Sequence, residues 1–310
     1  MIITVTMNPA IDKTVEIEKL HPGGLNRIQK VELDAGGKGI NVSKTIHELG
    51  GESLAIGFLG GNSGKTIENV LTDWNIRHDF IWVDGETRTN TKVFEKNGSV
   101  TELNESGPVI TEEKVNELLQ KIKDYTTSDT LIVLAGSIPA GVDKNIYARI
   151  TELVHEKGGH VLMDADGELF RNALKASPDI IKPNRVELEE YAQADYRMSQ
   201  EELTDMAKDF VAKGIQTVAV SMGMGGALFV KGDYAVRCPA LSVKSHSTVG
   251  AGDAMVAALA YAWDKNLPNE ETVRLSIATS AGAVTTIGTK PPKRALVDEL
   301  MKQVEIEEIK

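Results

Sequence analysis

The run Ser247-Thr248-Val249-Gly250-Ala251-Gly252-Asp253-Ala254 places a carboxylate directly behind two glycines and ahead of an apolar segment, Met255 to Trp263. That segment is built of good helix formers and contains no Gly or Pro before Pro268, so the glycines fall at a helix N-terminus. Unpaired backbone N–H groups and the positive end of the helix dipole attract an anion there, and glycine lets a phosphate approach the backbone. Asp253 in the same turn repels a phosphate at rest. A turn that keeps both reads as a base beside a transferring phosphoryl group, with the amides of Gly250, Ala251 and Gly252 as the anion hole. The plainer alternative is a helix capped by Asp in a Gly-rich turn. A second stretch, Ala35-Gly36-Gly37-Lys38-Gly39-Ile40-Asn41-Val42, sets an ammonium among exposed amides just before a helix that stops at Gly50-Gly51. Such a loop suits the hydroxyls of a polyol and the charge of a phosphate, or it is a structural turn. Gly60-Gly61-Asn62-Ser63-Gly64-Lys65-Thr66 ends like a phosphate-binding Walker loop, but that motif needs glycine where Leu59 stands. It reads as a turn that starts a helix.

These residues must be held by a scaffold, and the chain is long enough to build one. Its 310 residues, 41% hydrophobic and 25% charged, match a soluble α/β domain with a buried core. A net charge of −11 argues against nucleic acid and anionic membrane as partners, so any positive charge for an anionic substrate must be local. Cys238 is the single cysteine, which excludes a disulfide framework and points to a reducing cytoplasm. The first residues, Met1 to Thr6, read as a strand rather than a signal peptide, and no apolar run is long enough to span a bilayer. Strands are predicted at 2–7, 54–59, 130–135, 161–164, 180–182 and 217–221. Helices are predicted near 39–49, 65–74, 112–125, 144–156, 168–176, 186–192 and 201–213. That alternation gives a doubly wound, mostly parallel sheet flanked by helices. Segments 14–20 with 27–33, and 89–94 with 100–103, alternate polar and apolar residues with period two and read as half-exposed antiparallel strands inserted into the α/β body. They predict a small β-sheet lid, inserted at about 12–34 and 87–104 of one domain covering 1–310. Its open edges and apolar faces predict a homodimer packed lid to lid.

Taken together, Gly36-Gly37-Lys38-Gly39-Ile40-Asn41-Val42 and Thr248-Val249-Gly250-Ala251-Gly252-Asp253 resemble the two signatures of the PfkB (ribokinase-like) carbohydrate kinases, in order, separation and intervening α/β pattern. The resemblance covers essentially the whole chain and implies a ribokinase-like fold with a β-sheet lid, and ATP with Mg²⁺. Thr6-Met7-Asn8-Pro9-Ala10-Ile11-Asp12 looks like the branch that phosphorylates ketohexose phosphates, with fructose 1-phosphate the expected substrate and tagatose 6-phosphate the alternative. Thr87-Arg88-Thr89-Asn90 and Ala135-Gly136-Ser137-Ile138-Pro139 also match that branch. The resemblance puts sugar hydroxyls on Asp12, the sugar among Gly36, Gly37, Asn41 and Ser137, and the substrate's phosphate near Lys38, Arg88 and Arg27. Asp12 alone is a turn residue, and a lone Lys or Arg a solvated charge. Lys182-Pro183-Asn184-Arg185-Val186-Glu187 carries the family's Asn-x-x-Glu pattern, so Asn184 and Glu187 are expected to organise Mg²⁺ through water; Asn184 also suits a helix cap. Ser221-Met222-Gly223-Met224-Gly225-Gly226 resembles the loop near the ATP phosphates and ribose, which assigns Ser221, Gly223 and Gly226, with Thr248 and Val249, to the nucleotide. A reading of another class is a catalytically silent sugar-phosphate sensor, which has no need of Asp253.

Overall fold

Short strands buried along their whole length, alternating with amphipathic helices, can only be satisfied by a parallel sheet covered on both faces. The computed structural model describes residues 1–246 and 248–309, so Ser247, the first residue of the helix-start motif, and Lys310 lie outside the described residues. The chain opens with β1 (Ile2–Thr6), leaves for a smaller sheet as β2 (Ala10–Ile17) and β3 (Lys30–Gly36), and returns through α1 (Lys38–Glu48) to β4 (Ser53–Leu59). Helix α2 (Gly61–Asp73) and the two-residue strands β5 (Arg77–His78) and β6 (Ile81–Trp82) lead to a second excursion, β7 (Arg88–Glu95) and β8 (Val100–Asn104). Regular alternation follows: α3 (Glu112–Tyr125), β9 (Leu131–Ala135), α4 (Ile146–Glu156), β10 (His160–Asp164), α5 (Gly167–Ala173), β11 (Ile180–Ile181), α6 (Arg185–Ala192), α7 (Gln200–Ala212) and β12 (Thr217–Ser221). The chain ends with β13 (Ala227–Lys231), β14 (Tyr234–Cys238), α8 (Ala251–Asp264), α9 (Asn269–Ala283), α10 (Arg294–Met301) and β15 (Glu307–Glu308).

In the main sheet, β4, β1, β9, β10, β11 and β12 lie side by side and parallel, and β13, β14 and β15 extend one edge antiparallel. Strand β9 shows why helices cover both faces: Leu131 and Val133 enter one core cluster, Ile132 and Leu134 the other. No helix of the described residues is long and apolar enough to cross a membrane.

The predicted alternation stands, with three differences. The inserted strands form one four-stranded sheet in the order β3-β2-β7-β8; the expected pairs, β2 with β3 and β7 with β8, are antiparallel, but the pair that joins them, β2 with β7, is parallel. Both excursions leave the main sheet and enter the small one from the same side, with Ala10 opposite Arg88, so their first strands run the same way. Strand β2 begins at Ala10, and β3 at Lys30; Arg27, expected on a strand of the small sheet, instead lies exposed in the connection before β3. The hairpin β13–β14 and helices α9 and α10 were not predicted.

The Walker-like segment does start a helix, with Gly60 as its N-cap. Its anion position is filled from within, since Glu86 accepts the Ser63 N–H at 2.5 Å and a Cβ on Gly61 would collide with the Glu86 carboxylate.

Candidate active site

In a doubly wound sheet the ligand cleft forms at the carboxyl ends of the strands, where successive connections depart in opposite directions. Here the chain goes from β1 to β4 on one side and to β9 on the other. A cavity of about 800 Å³ opens at that point, lined by Thr6 at the end of β1, Ala135 at the end of β9, Asp164 at the end of β10, Lys182 after β11 and Ser221 at the end of β12. The polar face of the small sheet closes its other side with Asp12, Arg88, Asn90 and Lys92.

The motif residues converge on it. Helix α8 starts at the αL residue Gly250 (φ 85°), and Gly250, Ala251, Gly252 and Asp253 line the cavity with Thr248 and Val249. Asp253 is buried, and Asn41, from the second glycine loop, donates its Nδ2–H to the Asp253 Oδ2 at 2.8 Å. Loss of water pushes the Asp253 carboxyl up to about 6; Lys38 and the Asn41 hydrogen bond act against this, and Asp164 adds to it. The result is a carboxylate poised near neutral pH at the N-terminus of a helix. Lys38 Nζ lies 3.2 Å from Asp164 Oδ2. Burial disfavours its charge, but Asp164, Asp253 and Glu187 outweigh that and raise its pKa.

Two residues that sequence reasoning did not single out complete this end. Asp164 is fully enclosed and takes both Lys38 and Lys182, each at 3.2 Å. A Cβ on Gly252 would sit 3.6 Å from the Lys182 ammonium, which therefore adjoins the amide turn. The signal was available: a carboxylate ending a central parallel strand sits where such sheets bind ligands.

At the other end, Asp12 faces the cavity from β2, with its carboxyl raised by burial and held down by Lys92, Lys44 and Asn90. Gly36 does not line the cavity; it leaves room for Asp12, whose Oδ2 would lie 2.2 Å from a Cβ placed there. Gly37 (φ 107°) passes close over Thr6 and Pro9, where no side chain fits. Arg88 donates to the carbonyls of Asn8 (3.1 Å) and Glu105 (3.2 Å). Thr6 Oγ1, Asn8 Oδ1, Asn41 Oδ1, Asn90 Oδ1 and Arg88 Nε are buried without a hydrogen-bond partner. Five such atoms around one cavity are free to bond a polar ligand such as a polyol, because buried polar groups are nearly always paired. Ser137 also lines the cavity; Arg27 does not.

At the side of the cavity expected to take the nucleotide, Asn184 and Glu187 form a capping box for α6, the Asn184 side chain accepting from Glu187 N at 2.9 Å and the Glu187 carboxylate from Asn184 N at 2.7 Å. The cap alternative for Asn184 therefore holds, yet both residues line the cavity. Glu187 is raised by burial, with Lys182 acting against it and Asp164 adding to it. Oxygen donors with few protein ligands suit Mg²⁺, which keeps most of its waters, and a second carboxylate is not free because Asp164 is taken by two lysines. The donor set thus fits Mg²⁺ held largely through water. Ser221, Gly223 and Gly226 flank this region, and Gly226 (φ 85°) is required because a Cβ would meet the Cys238 carbonyl oxygen at 1.9 Å.

The chain is similar to the 1-phosphofructokinase of Borreliella burgdorferi, at 34% identity over all of this chain and 99% of that one. It is 35% identical to the 1-phosphofructokinase of Bacillus subtilis, with 99% of each covered. Among solved structures it resembles phosphofructokinase-2 of Escherichia coli, with a TM-score of 0.92 at 28% identity over 97% of this chain and 98% of that one; a tetrameric inhibited form of that protein has also been solved. A model of the pfkB family carbohydrate kinases matches residues 2–295. The chain belongs to that family.

Proposed function

We propose that the protein transfers the γ-phosphoryl group of ATP to fructose 1-phosphate, yielding fructose 1,6-bisphosphate and ADP. The observation that carries the reading is Asp253, a buried carboxylate raised to about 6, set in the amide turn of α8 and hydrogen-bonded to the Asn41 side chain of the polyol loop. A sensor has no need of a tuned base. The choice of fructose 1-phosphate rests on the 1-phosphofructokinase relatives.

Asp253 takes the proton of the sugar hydroxyl as its oxygen attacks the γ-phosphorus. The bond from that phosphorus to the bridging oxygen breaks, and ADP leaves with the electron pair. The transition state is loose, so positioning and charge neutralisation dominate. The amides of Gly250, Ala251 and Gly252 face the transferring oxygens, and Lys38 and Lys182 add positive charge at that end. Asp12, Asn41, Asn90 and Ser137 hold the sugar hydroxyls, and Arg88 the phosphate already present. Thr248, Val249, Ser221, Gly223 and Gly226 hold the nucleotide. Asn184 and Glu187 would hold Mg²⁺ through water, and the ion supplies charge neutralisation to the ATP phosphates. The small sheet acts as a lid that keeps water from competing as acceptor. We place the enzyme in the cytoplasm as a homodimer joined through these lid sheets.

ADP release in the presence of fructose 1-phosphate, fructose 6-phosphate and tagatose 6-phosphate tests the assignment. Fructose 1-phosphate is expected to give the highest kcat/KM. Preference for tagatose 6-phosphate would reassign the substrate, and tight binding without turnover of any would favour the sensor.

A further inference from the structure

Lysines are rarely buried, and a buried ammonium without a partner is costly. Among the described residues three lysines are buried: Lys44, Lys92 and Lys182. Two have their counter-charge at hand, Lys44 with Asp34 at 3.0 Å and Lys182 with Asp164 at 3.2 Å. Lys92 is only 8% exposed and, among the described residues, belongs to no hydrogen bond or ion pair; Asp12 on the adjacent strand is a neighbour of opposite sign, and Glu16 borders the same second cavity. Beyond favouring the charge of Asp12, Lys92 meets no direct partner within the described fold.

Its placement points to a role. Side chains alternate along a strand, so Arg88, Asn90 and Lys92 of β7 share the face turned to the cavity, and all three line it. Asn90 stands opposite Asp12 and Lys92 opposite Thr14 in the parallel pair with β2. Lys92 also borders a second cavity of about 220 Å³ that lies between the small sheet and His246, Val249, Ile287 and Gly288, and Val249 lines both cavities too. The ammonium thus stands at the far edge of the sugar pocket, where the small sheet approaches the loop that leads into the anion turn. The three cations elsewhere in the cavity are engaged: Lys38 and Lys182 by Asp164, and Arg88 through both terminal nitrogens by the Asn8 and Glu105 carbonyls.

We propose that Lys92 is a substrate-binding residue that joins Arg88 in contacting the phosphate the ketohexose already carries, and so sets the preference for phosphorylated over free sugar. This rests on the ketohexose-phosphate reading above. Binding supplies the missing counter-ion, and burial keeps the pair out of water, where a charge-assisted contact is strongest.

Lys92→Met keeps the apolar stem and removes the charge, and Lys92→Arg keeps the charge. Calorimetric affinities for fructose 1-phosphate, fructose and ATP, with steady-state constants, separate the roles. For Lys92→Met the fructose 1-phosphate Kd and KM are expected to rise on the order of 10- to 100-fold, with the ATP KM within about twofold and fructose affinity falling far less, only through the weaker support of Asp12. Lys92→Arg should recover most of the loss. Melting temperature should change little, since Lys92 makes no direct ion pair with any described residue. An unchanged fructose 1-phosphate affinity in a folded Lys92→Met, or equal loss for fructose and its phosphate, overturns the proposal while leaving the kinase reading intact. A wild-type protein that binds no ketohexose phosphate overturns that reading, and this proposal with it.

Discussion

A base set inside an anion-binding turn faces opposing demands, because its own charge repels the phosphoryl group that the turn must hold. Burial of Asp253 resolves them by favouring the uncharged acid until the pH nears neutrality. Only the carboxylate accepts the substrate's proton, so kcat/KM is expected to fall about tenfold per pH unit below 6 and to level off above it. Asp253→Asn should lower kcat by about 10²–10⁴-fold with little change in the ATP KM, and its residual activity should lack that inflection. The same shift fixes a stability effect. A folded pKa raised above the unfolded value stabilises the fold at low pH, and that contribution is lost as pH rises through about 6. Asparagine is neutral throughout and can still accept from Asn41, so Asp253→Asn should melt above the wild type at pH 8, with the gap closing towards pH 5. A lower melting temperature at pH 8 would show that the ionised carboxylate stabilises the fold and would sink this account. Most of these residues were legible because glycine, lysine and aspartate at fixed spacing report backbone demands directly. Asp164, Lys182 and Lys92 were not, since a charge at a strand end or on a strand declares its role only when the sheet is assembled.

At the scale of elements, the two ends of the main sheet do different work. The carboxyl ends of the strands line the candidate site, and the amino ends of β10, β11 and β12 are tied together by one residue. Asp179, just before β11, accepts from His160 Nδ1 (2.9 Å) and Val161 N (2.8 Å) on β10, His155 Nε2 (2.9 Å) on α4, and Gln216 Nε2 (2.7 Å) before β12. Its own carbonyl accepts from Gln216 N and Thr217 N. Burial alone would raise its pKa, but these donors outweigh that and lower it. A depressed folded pKa gives stability that is present above the usual carboxylate range and lost as pH falls through the folded value. Asp179→Ala is therefore expected to cost about 3 kcal/mol in urea unfolding at pH 7, less in acid, and to leave kcat/KM at 25 °C near the wild-type value. A comparable loss of kcat/KM would mean that the two ends of the sheet are coupled. The parallel strands were readable from the sequence because their residues are mostly apolar and form short runs between helical patterns. The hairpin β13–β14 also carried a signal, two apolar runs about Gly232-Asp233, but it interrupts the β–α alternation that guided the reading. The parallel pairing of β2 with β7 had no local signal, since alternation of period two is the same for either direction.

For the whole molecule, the small sheet poses the remaining physical problem. Its inner face carries Asp12, Arg88, Asn90 and Lys92, while Val15, Ile17 and Val93 form a small cluster of their own on the outer one. Val31 and Leu33 of β3 and Leu103 of β8 share that outer side and are 47%, 63% and 58% exposed. A four-stranded sheet with so little core is marginal alone, and its two edges are open. In the homodimer proposed above, a second copy packed against it with two-fold symmetry would cover the apolar side and steady the strands that carry Asp12 and Arg88. Leu33→Glu combined with Leu103→Lys is expected to give monomers by sedimentation velocity. These should show a fructose 1-phosphate KM raised about tenfold or more, because a loosened sheet no longer holds Asp12 and Arg88 in place, and an ATP KM near the wild-type value. Asp253 and the amide turn belong to the main sheet, so kcat at saturating sugar phosphate should fall less than affinity. A wild-type protein that sediments as a monomer at micromolar concentration with full activity would remove the second copy from the mechanism and leave the exposed leucines without a role.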